Sequence, residues 1–154
     1  MAFYHIPVLL RESVESLAIR PQGAYVDATF GGGGHSRAIL EQLGPEGRLL
    51  AFDQDSDSRN NMPDDKRISW IHSNFRFIHS VCKYHGMHQA DGILADLGVS
   101  WHQFDTEERG FSFRFDALLD MRMNRSSEKT AANVVNEYAR EDLASLFSRY
   151  GEIQ

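Results

Sequence analysis

Three short stretches of this sequence combine residue types that could hold and use a small ligand. The first is Asp27-Ala28-Thr29-Phe30-Gly31-Gly32-Gly33-Gly34-His35, an acidic residue followed by a run of glycines and a histidine. Consecutive glycines let a backbone turn tightly and approach a ligand where a side chain would collide. The second is Asp53, 20 positions beyond Gly33. A carboxylate at that distance, at the end of the next strand, is placed to accept both ribose hydroxyls of an adenine nucleoside. The third is Asp96-Leu97-Gly98-Val99-Ser100, in which an acidic side chain could orient a substrate or an amino group and Gly98 could admit a flat base. A dinucleotide fingerprint Gly-x-Gly-x-x-Gly started at Gly31 and Gly33 fails, because its third glycine is Ser36. A phosphate-binding loop ending in Gly-Lys-Ser/Thr is absent from the sequence as well. His79, Cys82, His85 and His88 follow one another in steps of three, a spacing that could gather zinc ligands on a helix, but Gly86 weakens such a helix and steps of three drift around its axis. The sequence is therefore read without a metal site.

Elements that position these stretches are legible in the alternation of apolar runs with helix-like segments. An amphipathic segment covers Leu9 to Leu17, and strands are expected at Ala24 to Thr29, Arg48 to Asp53, Ile68 to His72 and Gly92 to Asp96, the last short and buried. Helices are expected at Ser36 to Leu43, stopped by Gly44, at Ser56 to Met62 before Pro63, and at Phe77 to Tyr84. Such a series builds a doubly wound α/β domain with a mainly parallel sheet, in which ligands bind at the carboxyl ends of the strands. From Leu97 to Arg125 the periodicity is lost around Gly110 and several aromatics, and helical patterns return at Ala131 to Tyr138 and Glu141 to Tyr150. A long aperiodic segment inside an α/β domain is a place for function.

Composition sets outer bounds. With 154 residues, 42% hydrophobic and 25% charged, the chain suits one globular domain, and its apolar runs are too short for a membrane span. The absence of a signal-like start and the single cysteine, Cys82, fit a cytoplasmic protein. A formal net charge of −6 excludes a broad basic surface for nucleic acid. Arg109, Arg114, Arg122 and Arg125 form a local basic group, which charge alone reads as solvated or salt-bridged.

Taken in order, Asp27 to His35, Leu50 to Asp55, Asp91 to Ser100, Glu108-Arg109-Gly110-Phe111-Ser112-Phe113 and Leu119-Asp120-Met121-Arg122-Met123 resemble successive blocks of the MraW family, the S-adenosylmethionine-dependent cytosine-N4 methyltransferases of small-subunit ribosomal RNA. The opening His5 to Leu10 and the closing Tyr150-Gly151-Glu152 are similar too, so the resemblance spans the whole chain. It implies a Rossmann-like class I methyltransferase fold, with residues 1–154 forming part of the cofactor-binding domain and the helical segment from about residue 130 opening an inserted domain. Further sheet strands and most of that inserted domain would then lie outside the sequence. It further implies cofactor contacts from Gly33, Gly34, His35, Asp53, Phe75, Asp96 and Gln103, with Asp96 also the candidate catalytic residue. Where the family carries a second serine and a proline, this chain has Trp101 and His102. The implied partner is small-subunit ribosomal RNA or the small subunit, and an incomplete sheet would favour self-association. A cofactor-binding piece without catalysis and, less favoured by the missing third glycine, a nicotinamide-dependent oxidoreductase are the alternatives.

Overall fold

In the computed structural model, which describes residues 7–151 and 153, four strands form one sheet: β1 (Ala24–Asp27), β2 (Arg48–Asp53), β3 (Ile68–His72) and β4 (Gly92–Leu94). All pairings are parallel and the spatial order is β3-β2-β1-β4. His5 and Glu152, in the terminal segments that resemble the family's pattern, lie outside the described residues.

The apolar runs of β1 and β2 arise because both faces of this sheet are covered, as parallel sheets require. Side chains alternate between faces along each strand. Tyr25, Leu49 and Ala51 pack on one side with Val14 of α1 (Leu10–Ser16) and with Ile39 and Leu40 of α2 (Gly34–Gln42). Val26, Leu50 and Phe52 pack on the other with Met87 and with Ile78, Val81 and Cys82 of α3 (Ile78–Tyr84). Each of these large side chains contributes about 1.5–3 kcal/mol on full burial. The core therefore centres on β1 and β2, the two strands that carry the glycine run and Asp53 at their ends.

Chain order fixes where the crevice falls. From β1 the chain steps outward to β2 and β3, then crosses back to place β4 on the other side of β1. That reversal between β1 and β4 is the switch point at which open α/β sheets bind ligands.

Several boundaries differ from the sequence reading. α2 starts at Gly34, inside the glycine run, because Gly33 at φ 75° serves as its left-handed N-cap. Ser56–Asn61 is a 3-10 helix capped by Asp55, whose side chain accepts from the Asp57 amide. A second 3-10 turn, Phe75–Phe77, precedes α3. β4 stops at Leu94, two residues short of Asp96, and it is an edge strand with Ile93 55% exposed, contrary to the expectation of a buried strand. α3 ends at Tyr84 and Gly86 takes φ +68°, so His85 and His88 fall beyond the helix and the three-residue spacing has no common face. Among the described residues no three His, Cys, Asp or Glu side chains are grouped to hold a metal. No helix among them is long and apolar enough to cross a membrane.

The chain divides into two compact units between Ser100 and Trp101. The second contains α4 (Trp101–Asp105), a 3-10 turn at Glu107–Arg109, α5 (Ala131–Glu137) and α6 (Arg140–Tyr150). Its aperiodic segment is a built loop around Arg109, which is 1% exposed and donates to the carbonyls of Arg122 (2.9 Å) and Met123 (3.3 Å). Gly110 follows at φ +67°, and a Cβ there would strike the Leu118 carbonyl and approach the Asp120 nitrogen to 2.8 Å. Arg122 pairs with Asp120 (2.7 Å) and Arg114 with Asp105 (2.5 Å), so three of the four arginines of the basic group serve the loop itself. The Arg122 ion pair also holds the Asp120 carboxyl below its usual range, chiefly through the hydrogen bond from Arg122.

A candidate cofactor site at the sheet's switch point

The glycine run leaves β1 at the carboxyl edge of the sheet and is held there from several sides. The Gly31 amide donates to Asp53 Oδ2 (2.7 Å), the Gly31 carbonyl accepts from Asn61 Nδ2 (2.9 Å), and the Gly32 carbonyl accepts from Arg37 Nη1 (2.7 Å). Arg37 Nη2 reaches the Asn61 carbonyl (2.6 Å), closing this ring of contacts. A turn of glycines would otherwise be the most mobile part of the chain. These bonds hold it in one conformation before any ligand arrives.

Three of the four glycines have a reason of their own to lack a side chain. Gly31 and Gly33 have φ of 50° and 75°, where L-residues are strained. At Gly34 a Cβ would lie 2.5 Å from Pro7 Cγ, so the segment before α1 backs the loop. At the position where a dinucleotide motif needs its third glycine, Ser36 is fully buried and donates from Oγ to Asp27 Oδ2 (2.7 Å).

The loop presents two unfilled features. No side chain caps α2, so its first amides have no intrahelical acceptor, and a nine-residue helix points its positive end at the crevice. Beside them His35 is 5% exposed, and its Nε2 is buried without a hydrogen-bond partner among the described residues. A buried polar atom left unpaired costs about 1–3 kcal/mol, which a ligand carboxylate or another polar group would offset.

Asp53 is half-buried. Its Oδ1 accepts from the Asp55 amide (2.8 Å) and its Oδ2 from Gly31. The carboxylate still has lone pairs beyond these two bonds, since each oxygen can accept twice. Burial raises its pKa above the ordinary carboxylate value, while the amides of Asp55 and Gly31 oppose that shift. The 3-10 helix that follows is capped by Asp55, which leaves Asp53 out of that role. Phe75, 41% exposed, begins the turn capped by Asn74, and Asn74 Nδ2 donates to Gln54 Oε1 (2.9 Å). That bond ties the loop of Phe75 to the residue next to Asp53.

Asp96 is exposed and its side chain has no hydrogen bond or ion pair with the described residues, so it does not cap the turn that follows. Its backbone amide donates to Thr29 Oγ1 (2.8 Å). Thr29 in turn donates its amide to Asp27 Oδ1 (3.0 Å). Asp27 is completely buried, and burial raises its pKa despite the hydrogen bonds from Ser36 and Thr29. The sheet thus brings Gly33, Gly34, His35, Asp53, Phe75 and Asp96 into the first unit. Gln103 lies in α4 of the second, where it is buried.

The whole described chain, and the residues flanking it, match one protein family, described as the MraW methylase family, over residues 2–154. The chain belongs to that family. Among curated relatives, the proteins named ribosomal RNA small subunit methyltransferase H are 57% identical in Parabacteroides distasonis and 58% identical in Bacteroides fragilis, each over 98% of this chain. A third, from Flavobacterium johnsoniae, is 57% identical over 151 residues. The chain spans about half the length of these relatives, 50% in each case. Among solved structures, a putative methyltransferase from an antibiotic biosynthesis pathway of Anabaena variabilis matches 45% of this chain and 28% of its own, at 17% identity and a TM-score of 0.38, too partial a likeness to bear on the site.

Membership agrees with the order of blocks from Asp27 to Met123 and with the mixed α/β fold on a parallel sheet. Sequence reasoning missed Asn61 and Arg37 as loop supports and Thr29 as the tie to Asp96. Asn61 lies 30 residues from the carbonyl it holds, a pairing without any local signal.

Proposed function

We propose that this chain is the S-adenosylmethionine-binding half of an enzyme that methylates the exocyclic N4 amine of a cytosine in small-subunit ribosomal RNA. The observation that carries the reading is the pre-organised glycine loop, tied to Asp53 through the Gly31 amide, with its uncapped helix end and a buried His35 Nε2 that has no hydrogen-bond partner among the described residues. These features fit an adenosyl amino acid. The amides at the start of α2 and His35 suit its carboxylate, Asp53 its ribose and Phe75 its adenine, while Gly33 and Gly34 give the turn that presents those amides its shape. Asp96 is assigned to its methionine end. The names of the relatives support ribosomal RNA as substrate.

The cofactor would supply a sulfonium-borne methyl group. A cytosine amine is a weak nucleophile because its lone pair is delocalised into the ring. The protein's task is then to hold that amine in line and to offer an acceptor that localises the lone pair. The free carboxylate of Asp96, at the switch point, is the acceptor we assign. An enzyme acting on ribosomal RNA works where ribosomes are built, which places it in the cytoplasm. The acidic net charge leaves RNA affinity to surface outside this chain or to a local patch.

Calorimetry on this chain with S-adenosylmethionine, its demethylated product and NAD tests the cofactor. Binding of either of the first two, and weaker binding of NAD, is expected, and the reverse order would refute the reading. Transfer is tested in a protein of the relatives' full length that carries this sequence. There Asp96→Asn should lower the rate about tenfold to a thousandfold, the range for loss of one positioning or electrostatic group. A fall at saturating cofactor assigns Asp96 to the cytosine amine, whereas a fall confined to cofactor affinity assigns it to the methionine amino group.

A further inference from the structure

Asp96 projects from a loop that β4 alone does not hold, since the strand ends at Leu94 and the following residues are exposed. One side chain of the glycine segment ties this loop to the rest of the crevice. Thr29 Oγ1 accepts the Asp96 amide at 2.8 Å, 67 residues apart in sequence. One residue earlier the Ala28 amide donates to the Leu94 carbonyl (2.8 Å), so the Thr29 bond extends the β1–β4 pairing past its last strand residue. Thr29 is itself immobilised, because its amide is held by the buried Asp27, whose other oxygen is held by Ser36 in the first turn of α2.

We propose that Thr29 is a positioning residue for methyl transfer: its hydroxyl sets where the Asp96 carboxylate stands relative to the glycine loop that receives the cofactor. The inference rests on the functional reading given above. A linked set of bonds runs from Ser36 through Asp27 and Thr29 to Asp96, joining the helix end, the glycine turn and the acceptor loop. A carboxylate that must meet an amine in line gains from this arrangement, since misplacement by about 1 Å can cost as much as a hundredfold in rate.

Two substitutions separate geometry from bulk. Thr29→Val keeps the shape and removes the acceptor, while Thr29→Ser keeps the hydroxyl and removes a methyl. In a protein of the relatives' full length, Thr29→Val should reduce transfer at saturating cofactor and RNA about tenfold, with cofactor affinity within about twofold of the unsubstituted protein. Thr29→Ser should restore most of that rate. On the 154-residue chain, hydrogen exchange at the Asp96 amide should quicken in Thr29→Val and not in Thr29→Ser. An unchanged rate in Thr29→Val, a loss confined to cofactor affinity, or equal impairment of both variants would overturn the inference. Absence of transfer by the unsubstituted full-length protein would instead refute the functional reading, and the inference with it.

Discussion

Replacing Asp53 by asparagine removes one charge while nearly preserving shape, and the structure sets two consequences of different size. Asp53 accepts the amides of Gly31 (2.7 Å) and Asp55 (2.8 Å) through different oxygens. Asparagine offers one oxygen only, so its NH2 must face one of these N–H donors. Leaving that amide unpaired costs about 1–3 kcal/mol, partly offset because burial, which already raises the Asp53 pKa, no longer opposes a charge. The thermal midpoint should fall by a few degrees, by about 2–4 °C per kcal/mol for a chain of this size. Ligand binding should suffer more, since two ribose hydroxyls lose a charged acceptor and the glycine loop loses one support. With charge-assisted bonds contributing about 1.5–3 kcal/mol, a loss of roughly 2–4 kcal/mol weakens S-adenosylmethionine binding about 30- to 1000-fold. Calorimetry with the variant, beside a melting curve, reads both effects. Binding within about threefold of the unsubstituted chain, at an unchanged midpoint, would refute the assignment of Asp53 to the ribose and its role in holding Gly31.

The same carboxylate makes binding depend on pH. Its folded pKa is raised by burial, so it takes up a proton at higher pH than an exposed aspartate, and hydroxyl donors need the ionised form. Cofactor affinity should therefore fall as pH drops through that raised pKa, binding at acid pH should release a proton, and Asp53→Asn should flatten the profile. Gly33→Ala should weaken cofactor binding and cost about 1–2 kcal/mol of stability, because φ is 75° and the new Cβ would sit 3.0 Å from the Phe30 ring, as chemical denaturation can measure. Gly110→Ala should be more damaging to the second unit, since the Cβ meets backbone atoms of Leu118 and Asp120, and exchange at the Met121 amide, which donates to the Arg109 carbonyl (3.0 Å), should report the loop opening. Exposure of Ile93 on the outer strand should promote self-association of this chain, and Ile93→Lys should suppress the concentration dependence seen by sedimentation.

Strand β2 was legible to the residue, because a strand covered on both faces reads as an unbroken apolar run, and β3, an outer strand with only Ile68 fully buried, was legible from its β-branched and aromatic residues. Asp53 and the glycine run were legible for the same reason, as strand-end positions whose types are unusual there. The block order from Asp27 to Met123 carried the family. β4 was not legible in the same way: its apolar residues Ile93 and Leu94 look like a buried strand, but its place in the sheet order leaves Ile93 open on the outside. Local pattern also could not distinguish Arg109, buried beneath two backbone carbonyls, from its exposed neighbours in a basic group. The tie from Thr29 to Asp96 and the support of Gly31 by Asn61 exist only once β1, β2 and β4 lie side by side, since residues 30 and 67 positions apart meet there. Residue types and short spacings follow from the needs of one element at a time. Which elements become neighbours depends on how their apolar faces pack together, and that is a property of the whole chain.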